Sequence, residues 1–138
     1  MTKDFVIVRR MAKTTVKPTN LELTILRVLW EEGPRSVRDI QGSLNKSKPT
    51  GYTTVLKMLQ IMTEKGLVER DESVRPQIYR ASSSRERTQR EILSDLIHRV
   101  YDGSVKSLVM HALATKRSSA KDLEAIEKLL DRVEGGGK

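Results

Sequence analysis

Apolar residues near the beginning of the chain are spaced as in a largely buried helix. Most positions between Leu21 and Trp30, in the run LELTILRVLW, are apolar. Thr19 followed three residues later by Glu22 is the capping-box pattern that opens a helix. Gly33 is suited to end it, because glycine is favoured just past a helix C-terminus. The pattern therefore predicts a first helix that is mostly buried.

A second, shorter helix is predicted directly after this one. Ser36 followed by Asp39 is typical of a helix N-terminus, because the serine side chain can accept a backbone hydrogen bond there. The apolar positions that follow have the three-and-four spacing of one helical face. These positions are Val37, Ile40 and Leu44. The other face is polar.

A third helix is predicted to begin between Ser47 and Thr50, with Pro49 in its first turn, and to end at Lys65 before Gly66. Its inward stripe is predicted to consist of Tyr52, Val55, Leu56, Leu59 and Met62. Its outward face is then Gly51, Thr53, Thr54, Lys57 and Gln60. This outward face contains no acidic residue.

Two short strands are predicted next, from Leu67 to Glu72 and from Gln77 to Ala81. A hairpin of this size is not stable alone, so it must pack on the preceding helices. Three helices followed by such a hairpin define the winged helix-turn-helix. We therefore predict a mainly α fold with a small β-hairpin wing, in which the third helix enters the major groove of DNA.

The rest of the chain predicts three more amphipathic helices. The first follows the polar cluster Ser82–Ser84, with Ser83 and Glu86 as its capping pair, and ends at Asp102-Gly103. A shorter helix follows, and Ser119 is predicted to cap the last one. The domain organisation expected from these patterns is a flexible tail over 1–17, a winged-helix domain over 18–82, a helical dimerisation unit over 83–134 and a flexible tail over 135–138.

About 50 residues are too few for these three helices to bury all their apolar faces against one another. We therefore expect a second copy of the chain to cover them. The alternative is that they fold back on the first helices as one monomeric core. The residues predicted to form the dimer interface are Ile92, Leu93, Leu96, Ile97, Val100, Tyr101, Leu108, Val109, Leu113, Leu123, Ile126 and Leu130.

Charge and composition favour a nucleic-acid partner. The formal net charge is +8 at pH 7, and between Asp39 and Glu64 there is no acidic residue, which favours a polyanionic partner. Aromatic residues make up only 4% of the chain. Because single strands are usually held by stacking on several aromatic rings, this composition favours double-stranded DNA.

The predicted DNA contacts fall into two groups. Thr53, Thr54 and Lys57, within about one turn of the third helix, are predicted to contact bases in the major groove. The predicted contacts to the DNA backbone are Lys46, Ser47, Lys48, Thr50, Tyr52, Arg70 and Arg75. Two other hypotheses stay open: a winged helix that docks a partner protein, and a regulator that senses a small ligand.

Several classes of protein are excluded or disfavoured. The chain has no cysteine, which rules out disulfides, thiolate catalysis and cysteine-ligated metals. His98 and His111 have no acidic partners at a metal-ligand spacing, and no catalytic motif occurs. We therefore predict no enzyme activity, no metal and no cofactor. With no apolar run long enough for a signal peptide or a membrane span, we expect a soluble cytoplasmic protein.

Three segments together resemble the penicillinase-repressor family, also called the BlaI/MecI/CopY type. They are LELTILRVLW from Leu21, the run Ser36 to Ile40, and GYTTVLKMLQIMTEKGLVER from Gly51. The resemblance covers Thr19 to about Leu130. It implies a homodimeric bacterial repressor on a palindromic operator, with base contacts from the third helix and dimer contacts from the C-terminal helices.

Two departures from the family pattern narrow this implication. The copper-responsive members carry a cysteine-rich metal site, and this chain has no cysteine. The antibiotic-responsive members are cut by a regulatory protease between an asparagine and a phenylalanine, where this chain has His111-Ala112. If a regulatory protease acts here, its site or its specificity differs.

Overall fold

The computed structural model describes residues 17–115 and 119–136, which form six helices and three short strands. The first elements are α1 (Asn20–Glu32), β1 (Arg35–Ser36), α2 (Val37–Asn45), α3 (Tyr52–Lys65), β2 (Val68–Asp71) and β3 (Ile78–Ala81). They are followed by α4 (Arg85–Val100), α5 (Val105–Thr115) and α6 (Ala120–Gly136). The predicted fold class, mainly α with a small β-hairpin wing, is confirmed.

Side-chain caps begin the first two helices as predicted. The Glu22 N–H donates to Thr19 Oγ1 at 3.2 Å, and the Thr19 N–H donates to Glu22 Oε1 at 2.9 Å. This reciprocal pair is a complete capping box. Ser36 Oγ likewise accepts the Asp39 N–H at 3.2 Å. Both starts were predicted correctly because a cap depends only on residues three apart in sequence.

The start of α3 differs from the prediction. The helix begins at Tyr52 with Gly51 as its N-cap, so Pro49 lies in the preceding turn and not in the first turn of the helix. The first helical hydrogen bond here is donated by the Val55 N–H to the Gly51 carbonyl at 3.1 Å. The turn after α2 uses the chain through Thr50 for its own hydrogen bonds, which delays the helix.

The start of α4 also differs from the prediction. Ser84, not Ser83, caps the helix, and its Oγ accepts the Arg87 N–H at 3.1 Å. The Ser83 carbonyl instead accepts the indole N–H of Trp30 at 2.9 Å. The expected pairing of Ser83 with Glu86 was wrong because this tertiary hydrogen bond holds Ser83 ahead of the helix.

The three strands form one antiparallel sheet in the order β1-β3-β2. Glu69 lies opposite Arg80 and Arg70 lies opposite Tyr79 in the β2–β3 hairpin, while Arg35 of β1 pairs with Tyr79 from the other side. The hairpin was predicted, but β1 was not. Two residues are too few to show the alternation by which a strand is recognised.

The core lies among α1, α2, α3 and the sheet. Its buried residues are Ile25, Leu26, Leu29, Val37, Ile40, Leu44, Val55, Leu59, Met62, Val68 and Tyr79. The prediction that Tyr52 faces inward is wrong, because 42% of its surface is exposed. Tyr52 is the first residue of α3, where the chain has only just left the turn and does not yet lie over the core.

The chain forms two compact units that divide between Ile92 and Leu93. The first turns of α4 belong to the first unit. The Arg85 guanidinium lies 5.7 Å from the centre of the Trp30 ring and pairs with Glu31 at 3.3 Å. These contacts, with the Trp30–Ser83 hydrogen bond, tie the start of α4 to the end of α1.

Two further expectations concern the ends of the chain, where flexible tails were predicted. The tail expected over residues 1–17 lies outside the described residues except for Lys17. At the other end α6 continues to Gly136, where a tail was expected from residue 135. Helix ends commonly vary by one or two residues, so this difference is of the ordinary size. Gly137 and Lys138 are outside the described residues.

One ion pair joins the start of α1 to the end of α3. Glu22 is 1% exposed, and both of its carboxylate oxygens accept from Lys65 Nζ at 3.0 Å. Its Oε1 also accepts the Thr19 N–H. A charge buried this deeply needs such partners, because an unpaired carboxylate inside a protein is strongly destabilising.

Lys65→Met is therefore expected to lower the free energy of unfolding by about 3 kcal/mol, the low end for a broken buried pair, because Lys65 is itself partly exposed. Urea denaturation measures this change. Lys128→Met is the control, since its pair with Glu124 is 3.9 Å long and exposed, and should cost less than about 1 kcal/mol. Equal effects of the two substitutions would contradict the assigned role of Lys65.

Candidate nucleic-acid interface

The outward face of α3 is determined by the side that it buries. Val55 and Leu59 are 0% exposed, and the residues on the other side are solvent-exposed. Thr53, Thr54 and Lys57, the three predicted base-contacting residues, all lie on this exposed side. Along α3 the only acidic residue is Glu64, near the end of the helix. The first three turns therefore present hydroxyl, amide and ammonium groups without a carboxylate.

The turn between α2 and α3 is held by its own polar groups. Asn45 Oδ1 accepts the Thr50 N–H at 2.7 Å, and Gln41 Nε2 donates to the Thr50 carbonyl at 3.2 Å. The Thr50 hydroxyl donates to the Lys48 carbonyl at 3.0 Å. Thr50, which was predicted to contact the DNA backbone, thus helps to shape the turn that positions the start of α3.

The other predicted phosphate contacts on this turn are solvent-exposed. Lys46 and Lys48 carry exposed side chains. Ser47 is exposed as well, and its hydroxyl donates to the Leu44 carbonyl at 3.4 Å. The structure thus brings the two lysines to the same end of α3 as Thr53 and Thr54, on the short turn that precedes the helix.

Arg38 is a residue that the sequence reasoning did not select. It is exposed on the first turn of α2, and its guanidinium carbon lies 5.6 Å from the centre of the Tyr52 ring. This is a cation–π distance. The sequence showed only that the outer face of α2 is polar, and nothing local indicated that Arg38 meets Tyr52 across the turn.

The two wing arginines differ in their surroundings. Arg70 Nη2 pairs with Glu72. Partial burial opposes its charged form, but hydrogen bonds to Tyr79 and Glu72 outweigh burial, so the pKa of Arg70 is raised. Arg75 is exposed at the tip and donates to the Glu72 carbonyl at 2.8 Å. Of the two predicted contacts, Arg75 is therefore the more accessible to a DNA backbone.

The C-terminal helices expose most of the large apolar side chains found on the described surface. The exposed residues among those predicted for the dimer interface are Leu93, Leu96, Val100, Leu113, Leu123 and Leu130. The other six, Ile92, Ile97, Tyr101, Leu108, Val109 and Ile126, are half-buried. Val105, Met110 and Leu129, which are not among the residues predicted for the dimer interface, are also exposed.

The histidines show no metal-binding arrangement. His111 Nδ1 lies 3.3 Å from the Tyr101 hydroxyl, and the two rings meet edge to face. Within residues 17–115 and 119–136 no group of three or more potential ligands could hold a metal ion. No helix in that part of the chain is long and apolar enough to cross a membrane.

Three helices and a β-hairpin, with an exposed third helix whose first three turns carry no acidic residue, are the arrangement typical of winged-helix DNA-binding proteins. Residues 18–132 match the model of the penicillinase repressor family. The chain belongs to this family. Because the family consists of transcriptional repressors, membership also confirms that the protein is not an enzyme.

Two bacterial proteins illustrate the similarity. The chain is 27% identical over 128 residues to the transcriptional regulator BlaI of two strains of Mycobacterium tuberculosis, covering 91% of each chain. It is 19% identical over 123 residues to the penicillinase repressor of Staphylococcus aureus, covering 89% of this chain and 98% of that one. Both matches extend through the winged helix and the C-terminal helices.

The stability of the turn at the wing tip should depend on the protonation of Asp71. The Ser73 hydroxyl at 2.6 Å and the Ser73 N–H at 2.9 Å both donate to Asp71 Oδ1 and hold the pKa of Asp71 below 3.8. Because the pKa is lower in the folded state, this turn contributes stability above pH 3.8 and loses it as pH falls through the folded-state pKa. A carboxyl-carbon NMR titration should therefore give a midpoint below 3.8.

Ser73→Ala should move this midpoint back toward 3.8 without reaching it, since the backbone donor remains. Ser104→Ala, at the start of α5, should leave it unchanged. A midpoint that does not move in Ser73→Ala would mean that the hydroxyl is not the main cause of the shift.

Proposed function

We propose that the protein is a homodimeric repressor that binds a palindromic operator in double-stranded DNA and blocks transcription in the bacterial cytoplasm. The observation that carries this proposal is the exposed, acid-free face of α3. Its hydroxyl and ammonium groups can contact base edges in a major groove about 12 Å wide. Membership of a repressor family supports the same function.

The assignment of side chains to bases or to phosphates follows from the groups that each side chain carries. A threonine offers a hydroxyl to a base or phosphate and a methyl group to thymine, and Lys57 can reach the guanine acceptors. Lys46, Lys48 and Arg75 are exposed on the flanking turns, where they contact phosphates and set the orientation. Arg70 is paired with Glu72, so it contributes mainly to the shape of the wing.

A second copy of the chain is the natural cover for the C-terminal helices. Nine of the eleven exposed large apolar residues in the described part of the chain lie on α4, α5 and α6. Apolar surface of this extent marks an interaction site in a soluble protein. A dimer also carries two recognition helices, one for each half-site of the operator. Two half-sites together provide the specificity that one recognition helix cannot.

Induction by proteolysis at the family position is not part of the proposal. The bond between His111 and Ala112 lies inside α5. Proteases prefer exposed loop tips to regular helix. If a regulatory protease acts on this protein, either its cleavage site or the protease itself differs from that of the antibiotic-responsive members.

Selection of bound sequences from random duplex DNA at about 150 mM salt tests the function directly. An inverted repeat is the expected result, with a spacing that reports the distance between the two recognition helices. Recovery of no motif, with binding that is insensitive to salt, would favour a protein-docking module instead.

Lys57→Ala should weaken binding to the selected site and relax the preference for one base pair in each half-site, at about 1–3 kcal/mol per lost contact. Gel-shift titration on the selected and randomised sites measures both effects. Lys121→Ala on α6, also exposed, is the matched control. An equal loss of affinity on specific and random DNA would make Lys57 a phosphate contact.

Leu123→Asp should convert the dimer to a monomer while the winged helix stays folded, because a charge would have to be buried in the interface. Sedimentation equilibrium measures the mass of the particle in solution, and circular dichroism shows whether the variant is folded. Val74→Asp is the control, since Val74 is similarly exposed but lies on the wing. A native chain that is already monomeric at micromolar concentration would refute the dimer.

A further inference from the structure

A cleft of about 500 Å³ opens beside the first turn of α3. One side is the start of α2, the second is the start of α3, and the third is the end of the wing turn. The lining residues that matter here are Arg38, Asp39, Tyr52, Leu56, Pro76 and Gln77. The cleft lies entirely within the first unit, and its lining residue Tyr52 directly precedes the exposed residues Thr53 and Thr54 on α3.

Two of these side chains are arranged as a pair. Arg38 lies over the Tyr52 ring at 5.6 Å, and both residues are exposed. A cation–π contact with the ring restrains the guanidinium, whose N–H groups can still donate to an anionic ligand. Among residues 17–115 and 119–136, the ion pairs found within 4 Å do not include Arg38. Its charge is thus available to a partner.

The location of the cleft points to the kind of partner. A helix lying in the major groove has the two sugar–phosphate strands beside it, one on each flank. The cleft lies on the flank of α3 that is bounded by the start of α2 and the end of the wing turn. Its polar groups are a guanidinium, a phenol and the Gln77 amide, which can all donate to phosphate oxygen. Its apolar wall, Leu56 and Pro76, can contact a deoxyribose.

We propose that this cleft seats one strand of the DNA backbone, with Arg38 and Tyr52 binding a phosphate and Gln77 closing the site from the wing. This inference rests on the proposed function, which it extends by a contact that α2, α3 and the wing make together. Asp39 is the acidic residue in the lining. Its carboxylate opposes the phosphate and limits the strength of the contact.

Arg38→Ala is the principal test, with the full-length protein on the selected inverted repeat and on random duplex between 50 and 200 mM salt. Affinity should fall roughly 10- to 100-fold on both DNAs, since the contact carries no sequence information. The slope of log affinity against log salt should become shallower by about 1.8, because a dimer would lose two phosphate contacts. Arg90→Ala, exposed on α4, should change neither quantity.

Three further variants distinguish phosphate binding in the cleft from a general effect of charge. Tyr52→Phe keeps the ring under Arg38 and should weaken binding less than Tyr52→Ala. Asp39→Asn removes the opposing carboxylate and should strengthen binding about two- to threefold with little change in base preference. Thermal denaturation of each variant confirms that it is folded before its affinity is compared.

The outcomes distinguish this inference from the proposed function. The native protein could bind DNA sequence-specifically while Arg38→Ala and Arg90→Ala have equal affinities and salt slopes. That result would overturn the phosphate contact proposed for the cleft and leave the proposed function standing. Weaker binding in Asp39→Asn would also overturn that contact. Absence of DNA binding by the native protein would refute both.

Discussion

The rotation of α3 about its own axis is the constraint on which the first unit depends. Val55, Leu59 and Met62 are 0% exposed and pack with the apolar residues of α1 and α2. Turning any one of them to solvent would cost about 1.5–3 kcal/mol. The helix therefore has one acceptable rotation, and that rotation leaves Thr53 and Lys57 exposed. The chemistry of the outer face is a consequence of the packing of the inner one.

Polar contacts then determine where along its axis α3 begins and ends. Asn45 and Gln41 hold Thr50 in the turn, so the helix starts at Tyr52. At the other end, Lys65 reaches the buried Glu22 of α1. Hydrophobic packing alone tolerates a small slide of one helix along another, whereas hydrogen bonds of about 3 Å do not. The exposed face is thus held at both ends.

The sequence pattern predicted local structure better than it predicted the contacts of individual side chains. Caps at Thr19 and Ser36 and the hairpin were predicted correctly, because each depends on residues close together in sequence. Thr50 and Arg70 were predicted to contact the DNA backbone from residue type alone, and in the structure both side chains already make other contacts, with the Lys48 carbonyl in the α2–α3 turn and with Glu72. Polarity and charge show what a side chain can bind, but not whether a neighbour already uses it.

The number and type of the main elements, the winged-helix class and the acid-free face of α3 could all be predicted from the amino-acid sequence. These follow from periodicity, capping and local charge, which short-range geometry controls. Three other features emerged only in the packed fold: Tyr52 lies outside the core beside Arg38, Arg35 and Ser36 form a third strand before α2, and α4 starts within the first unit. Each of these depends on residues that are distant along the chain and meet only after the core has packed.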